Sequence, residues 1–450
     1  MNDKPRRTTF RQRYDEMLAT LKNEIITEVW KEGSYLPSEY DIADRFQLSK
    51  NSVRKGLDVL ASEGFIEKMP RIGNCVLKPP AGVTIKFGYY PSLIQEANLN
   101  MLLDEFHKKH PLIRITLIPI PYNHAKPSLR DYMESDDIDV MSINNQNFDL
   151  FLDSEGSPEL LEPLTIGDGI YPILTKPFTR QGQTYVYPFT FSPVILCYNK
   201  QHFAENNVSE PDSSWTWDTI KKAAGQLSSG KDRYGFFFHF LSDNRWPIFF
   251  LQNNVVFNRG NEAGGGKLEL DEAALKESLQ LLMDLNEEVF PPFISEDDQD
   301  AEMLFMQQKV SMILTSYFFL NMIKDVDFPY DISPLPYLKN PKTLLIVIGL
   351  GINKFSKHKQ AAQTFIDFMV SHDAQLLLRQ HTLSIPSLKS AAEWDEQGGL
   401  KQPSRYFVYR ETFPTFSYHN DMNVRFSDLD VIRRQMKMYF SNLAGLEVFV

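Results

Sequence analysis

A chain of 450 residues exceeds what one hydrophobic core usually holds, which predicts two to four domains. Its 42% hydrophobic and 23% charged residues exclude a disordered or collagen-like protein, and its longest apolar stretches, 310–323 and 343–352, fall short of the about 18 residues of a membrane helix. The net charge of -11 is unevenly spread: residues 1–80 carry 14 Lys and Arg against 12 Asp and Glu, the remainder 33 against 46. A surface that meets nucleic acid therefore belongs in the first segment.

Phe10, Tyr14, Met17, Leu18, Leu21, Ile25 and Val29 recur at helical spacing, with Gly33 as a stop, and predict a first helix of about five turns. Pro37 and Ser38 announce a second, short helix running to Phe46, with Asp41 placed to complete a capping box. Ser49 then caps a third helix, with Val53, Leu57 and Leu60 inward and Lys50, Asn51, Ser52, Arg54 and Lys55 outward. Two strands follow Gly64, Phe65–Met69 and Cys75–Leu77, around a tip that carries Arg71. Three helices and a hairpin in this order predict a winged helix-turn-helix, whose capped helix enters a major groove while the tip touches the backbone. The competing reading is a helical protein-interaction module in which Lys50, Arg54 and Arg71 form only a solvated face.

The runs GSYLPSEYDIADRF, LSKNSVRKGLDVLASEGFIEK and RIGNCV resemble the GntR family of bacterial transcription regulators over nearly all of this segment. The resemblance implies DNA contacts from Lys50, Asn51, Ser52 and Arg54, from Glu39 and Tyr40 in the preceding helix, and from Arg71 in the wing. It also implies a homodimer on palindromic operator DNA. Tyr40 stands where the family usually has Arg, and Pro70 where it usually has Gly, so the operator is expected to differ from the common one. The basic residues Lys4, Arg6, Arg7, Arg11 and Arg13 add possible phosphate contacts, and no secretory apolar segment follows them, so a cytoplasmic chain is expected.

The domain boundaries expected are 1–77 for the DNA-binding module, a proline-stiffened linker at 78–82, and a second unit at 83–450. From Val83 the pattern alternates strand (Val83–Tyr89, Ile113–Ile118, Ile138–Ile143) and helix (Leu99, Leu102, Leu103 and Phe106 inward). This predicts an α/β fold with a parallel sheet, whose ligands bind beyond the carboxyl ends of the strands. The motifs EFHKKHPLIRI, DIDVMSI, GQTYVYPFTFSPVILCYNKQHF, WTWDTIKKAAGQLSSGKDRYGF, FMQQKVSMIL and GLGINKFSKHKQAAQTFIDFMVSHDAQ resemble, in this order, the sugar-binding branch of ABC-transporter solute-binding proteins.

That resemblance implies a two-lobed, periplasmic-binding-protein-like (venus-flytrap) domain whose lobes cross near 187–199 and 334–349, with a sugar or oligosaccharide in the cleft. Aromatic plates and amide or hydroxyl groups suit such a ligand. On matched positions they are Tyr89, Tyr90, Asn144, Asn145 and Ser192, then Trp246, Tyr317 and Phe318. Trp215 and Trp217 read as packing residues at a helix start.

No catalytic constellation or metal site emerges, and no cofactor is expected. His107 and His110 flank two lysines and read as a solvated face; Gly264–Gly266 lacks the rest of a phosphate loop; the pairs Asp136-Asp137 and Asp297-Asp298 are positioned by nothing visible; Cys75 and Cys197 read as free thiols. One enzyme alternative is a GntR-type regulator with an aminotransferase-like domain binding pyridoxal phosphate, Lys231 in Ser228-Ser229-Gly230-Lys231 being the candidate Schiff-base lysine. Another is a solute-binding protein that does not act on DNA. The favoured expectation is a non-enzymatic, one-component transcription regulator, a repressor that sugar releases from DNA.

Overall fold

The structure, a computed structural model, describes residues 10–120, 129–155, 158–230, 232–259, 268–269, 271–291, 295–395 and 400–449. Lys231, Gly264–Gly266 and the basic residues Lys4, Arg6 and Arg7 lie outside them.

The first unit packs α1 (Phe10–Ile26), α2 (Glu39–Arg45) and α3 (Lys50–Ser62) with a hairpin of β1 (Ile66–Met69) and β2 (Gly73–Val76). Its core is the apolar face read from the sequence: Met17, Leu21 and Ile25 meet Ile42, Val53, Leu57, Leu60 and Phe65. α1 stops at Ile26 rather than beyond Val29, because Glu28 adopts a left-handed backbone and Val29 faces solvent. The caps form as expected. The Ser38 hydroxyl accepts from the Asp41 amide at 3.2 Å while Asp41 accepts from the Ser38 amide, and Ser49 accepts from the Ser52 amide at 3.2 Å. Each such cap contributes about 1 kcal/mol.

α1 and α3 approach closely at Gly56, where a Cβ would sit 2.3 Å from the Met17 methyl. A larger residue there would push the two helices apart.

The second unit is a ten-stranded sheet flanked by helices. Lobe 1 opens with β3 (Val83–Tyr89), α4 (Leu93–Glu96), α5 (Leu99–Lys109), β4 (Ile113–Pro119), β5 (Val140–Asn144) and α6 (Asn145–Glu155); β3 lies between β4 and β5, parallel to both. β6 (Tyr187–Asn199) is buried along all thirteen residues and serves both lobes. Lobe 2 adds α7 (Trp217–Leu227), β7 (Tyr234–Phe237), α8 (Trp246–Gln252), α9 (Asp298–Met306), β8 (Val310–Ser316), α10 (Leu320–Ile323) and β9 (Tyr330–Ser333). β10 (Thr343–Ile352) returns to lobe 1, and α11 (Phe426–Phe440) ends the fold against α6.

β6 makes the crossing through a change of partner at Pro193. Tyr187–Pro193 pairs antiparallel with β10, and Val194–Asn199 pairs antiparallel with β8 and β9. The pairing of β6 with β10 shifts register between Ile348 and Gly349, opposite Pro188, a residue with no amide to donate. Gly349 fits there because a Cβ would come within 2.6 Å of the Tyr187 carbonyl oxygen.

The helix-turn-helix module rests on lobe 1. α1 packs against α5, and Leu112, just before β4, joins the module's own hydrophobic cluster.

Candidate functional site: a helix-turn-helix face and an interlobe cleft

On the first unit, α3 presents Lys50, Asn51, Arg54 and Lys55 to solvent along one face. Arg54 Nε donates to Glu39 Oε2 at 2.7 Å, and the Lys50 ammonium lies 5.1 Å from the centre of the Tyr40 ring. Arg71 sits at the wing tip with φ +67°, exposed. Ser52 differs from its neighbours, because it faces inward and its hydroxyl bonds Ser49 Oγ at 2.8 Å. Its place is at the helix start rather than on the open face.

In the second unit, the carboxyl ends of β3, β5 and β8 converge where the lobes meet. The Tyr90 hydroxyl accepts from Asn147 Nδ2 at 2.6 Å and from the Asn144 amide at 3.3 Å, and burial pushes its pKa up to about 12. Asn145 Oδ1 accepts from the Val347 amide at 2.8 Å, tying the start of α6 to β10. Ser192 Oγ accepts from the Tyr317 amide at 2.7 Å, and the Tyr317 hydroxyl donates to the Tyr406 carbonyl at 2.7 Å. Trp246 is fully buried against Phe250, with its indole N–H on Asp243, and Phe318 is buried. Tyr89 is half-buried.

Of the eight residues read from sequence as ligand contacts, seven are thus packed into the walls rather than open at the interface. Trp215 and Trp217 are buried at the start of α7, as expected.

The groups that meet across the lobes are different ones. Gln146 Nε2, from α6 of lobe 1, donates to Asn244 Oδ1 of lobe 2. Glu302 on α9 accepts from Thr315 Oγ1 at 2.7 Å, and close by Asp298 accepts from Ser242 Oγ at 2.9 Å and pairs with the buried Arg245 at 3.4 Å. Burial pushes the Glu302 carboxyl up to about 8, and Asp298 and then Glu96 of lobe 1 push in the same direction. Glu96 is itself raised to about 7 by burial, against the effect of its bond from Ser92 Oγ at 3.1 Å. The Glu96 and Glu302 carboxyls are thus both held in a buried setting, close enough for each charge to be felt by the other.

Sequence reading passed over this set because its members lie far apart in the chain and carry no motif. The one visible hint was the pair Asp297-Asp298, read as unpositioned; Asp297 in fact caps α9 through the Gln299 amide at 2.9 Å, and Asp298 holds Arg245. The histidines also differ from expectation: His107 Nε2 accepts from the Ile115 amide at 3.1 Å and His110 stacks on Phe106, so neither is merely solvated.

Residues 90–376 match the bacterial extracellular solute-binding protein family. The chain belongs to that family. Residues 13–76 match the bacterial regulatory proteins of the gntR family, giving this solute-binding protein a GntR DNA-binding domain at its front. The segment around Ser228–Gly230 falls inside the solute-binding match rather than in an aminotransferase-like domain.

A curated relative, the sn-glycerol-3-phosphate-binding periplasmic protein UgpB of Agrobacterium fabrum, is 25% identical over 290 residues, 62% of this chain and 65% of its own. The chain spans about half to two thirds of the length of the curated relatives it matches. Among solved structures, the substrate-binding protein Lmo0181 from Listeria monocytogenes in complex with cycloalternan matches with a TM-score of 0.68 at 19% identity, covering 81% of this chain and 95% of that one. The Thermus thermophilus maltotriose-binding protein bound with maltotriose matches at 0.60 and 20% identity, covering 80% and 100%. These likenesses establish the two-lobed fold.

Among the described residues no cluster of His, Cys, Asp or Glu could hold a metal ion, and no helix is long and apolar enough to cross a membrane.

Proposed function

We propose that the protein is a one-component transcription regulator in which the winged helix reads operator DNA and the two-lobed domain senses a sugar or oligosaccharide. The observation that carries this reading is the docking of the helix-turn-helix module, through α1, onto α5 of lobe 1. α5 follows α4, whose last residue, Glu96, is among the groups that meet at the lobe interface. The ligand site therefore has a short structural route to the recognition helix: α4, α5, α1, α3.

The proposed ligand contacts are the polar groups at the lobe interface, Glu96, Gln146, Asn244 and Glu302, on walls built by Tyr90, Asn144, Asn145, Ser192, Trp246 and Tyr317. Hydroxyl-rich ligands suit carboxyl and amide partners. Ligand binding that draws the lobes together strains or relaxes α4 and so changes the placement of the DNA-binding module. In a homodimer on a palindromic operator this alters the spacing of two recognition helices, and release from DNA on sugar binding is the favoured direction. A function on DNA places the protein in the cytoplasm, and no step of the reading calls for catalysis.

A thermal-shift screen of the full chain against mono- and oligosaccharides, with sn-glycerol 3-phosphate included, tests the sensor. A saturable rise in unfolding temperature with a saccharide is the expected result. A rise with glycerol 3-phosphate alone would replace the sugar reading.

A further inference from the structure

The first turn of α2 is fixed by the reciprocal Ser38–Asp41 cap, and it carries Glu39 and Tyr40 side by side. Each of them engages one cation of α3. Glu39 holds Arg54 by an ion pair of 2.7 Å, and Tyr40 offers its ring face to the Lys50 ammonium at 5.1 Å. Lys50 and Arg54 are one helical turn apart and share a face of α3. Tyr40 is 65% exposed, an unusual place for a large aromatic ring that supports no core. A cation over an aromatic face is attracted by the ring quadrupole, and the attraction restricts a long, otherwise mobile lysine.

We propose that Tyr40 is a positioning residue that determines DNA specificity by aiming Lys50, so that the base-pair preference at one operator position belongs to the Tyr40–Lys50 pair. This rests on the DNA-binding reading of the first unit. Glu39 plays the corresponding part for Arg54 by charge, but a carboxylate also repels phosphate, whereas the neutral ring does not. Tyr40 therefore restricts the lysine without weakening the electrostatic attraction of the face for DNA. Without the ring, Lys50 keeps its charge and its general attraction for phosphate but loses its direction, so sequence preference falls more than overall affinity.

The experiment enriches bound sequences from a library of random duplexes with the full chain and its variants, each first checked for unchanged thermal unfolding. The unsubstituted protein and Tyr40→Phe, which keeps the ring, are expected to select the same sequence. Tyr40→Ala is expected to lose preference at one position in each half-site, with affinity for the selected site down by about two- to fivefold. Lys50→Ala is expected to lose preference at that same position, and the double variant to discriminate no worse there than Lys50→Ala alone. An unchanged preference in Tyr40→Ala, losses at different positions, or additive losses would overturn the proposal. Failure of the unsubstituted chain to enrich any sequence would instead overturn the DNA-binding reading, and this inference with it.

Discussion

Ser384 donates its hydroxyl to the carbonyl oxygen of Glu96 at 2.6 Å, and the same hydroxyl accepts from Asn321 Nδ2 at 3.0 Å. Asn321 lies on α10 of lobe 2, Ser384 just before the short strand Ile385–Pro386 that pairs with β6, and Glu96 at the end of α4 in lobe 1. Two hydrogen bonds thus link lobe 2 to α4, which packs on α5, which in turn packs on α1. Ser384→Ala removes both bonds with little change in volume. The variant should bind sugar and operator about as well as the parent, while the effect of sugar on operator binding shrinks several-fold. Fluorescence anisotropy of a labelled operator duplex, with and without the saccharide that gives the thermal shift, checks this; an undiminished sugar effect would show that the signal takes another route.

Glu302 makes the stability of the second unit pH-dependent. Its folded pKa of about 8 lies above the ordinary carboxylate value of 4.5, so the folded state holds a proton that the unfolded chain has released. The contribution is complete below about pH 4.5 and is lost as pH rises through about 8. Glu96, raised to about 7, acts in the same sense. Glu302→Gln should accordingly flatten the fall of unfolding temperature across this interval and be the more stable protein at pH 8, a comparison made by calorimetry at a series of pH values.

The winged helix was legible in the sequence because its signals are local. Ser38, Asp41 and Ser49 cap helices within three residues of themselves, and the inward faces of α1 and α3 follow simple helical spacing. The two-lobed fold was legible from the order of its motifs. The contacts between the lobes were not, since Glu96, Gln146, Asn244 and Glu302 are brought together only by the crossings of β6 and β10. The resemblance implied aromatic plates at Trp246 and Tyr317, yet both are fully buried, Trp246 against Phe250 at the start of α8 and Tyr317 against Tyr406 just beyond β8.

Gly56 sets the distance between α1 and α3. Gly56→Leu would force its side chain against Met17 and should destabilise the DNA-binding module by about 1 to 3 kcal/mol. Local hydrogen exchange in α1 and α3 should rise while β6 and β10 stay protected.

Arg54 carries one of the charges on the exposed face of α3. Arg54→Ala should weaken operator binding and reduce the slope of log affinity against log salt by about 1, leaving sugar affinity unchanged. Equal losses of DNA and sugar binding would point to misfolding instead.

The most direct test of the whole account is operator affinity of the full chain measured across a titration with the saccharide that raises its unfolding temperature. The account predicts a saturable change of roughly 5- to 150-fold, corresponding to a coupling of about 1 to 3 kcal/mol. Saturable sugar binding that leaves operator affinity unchanged would contradict it.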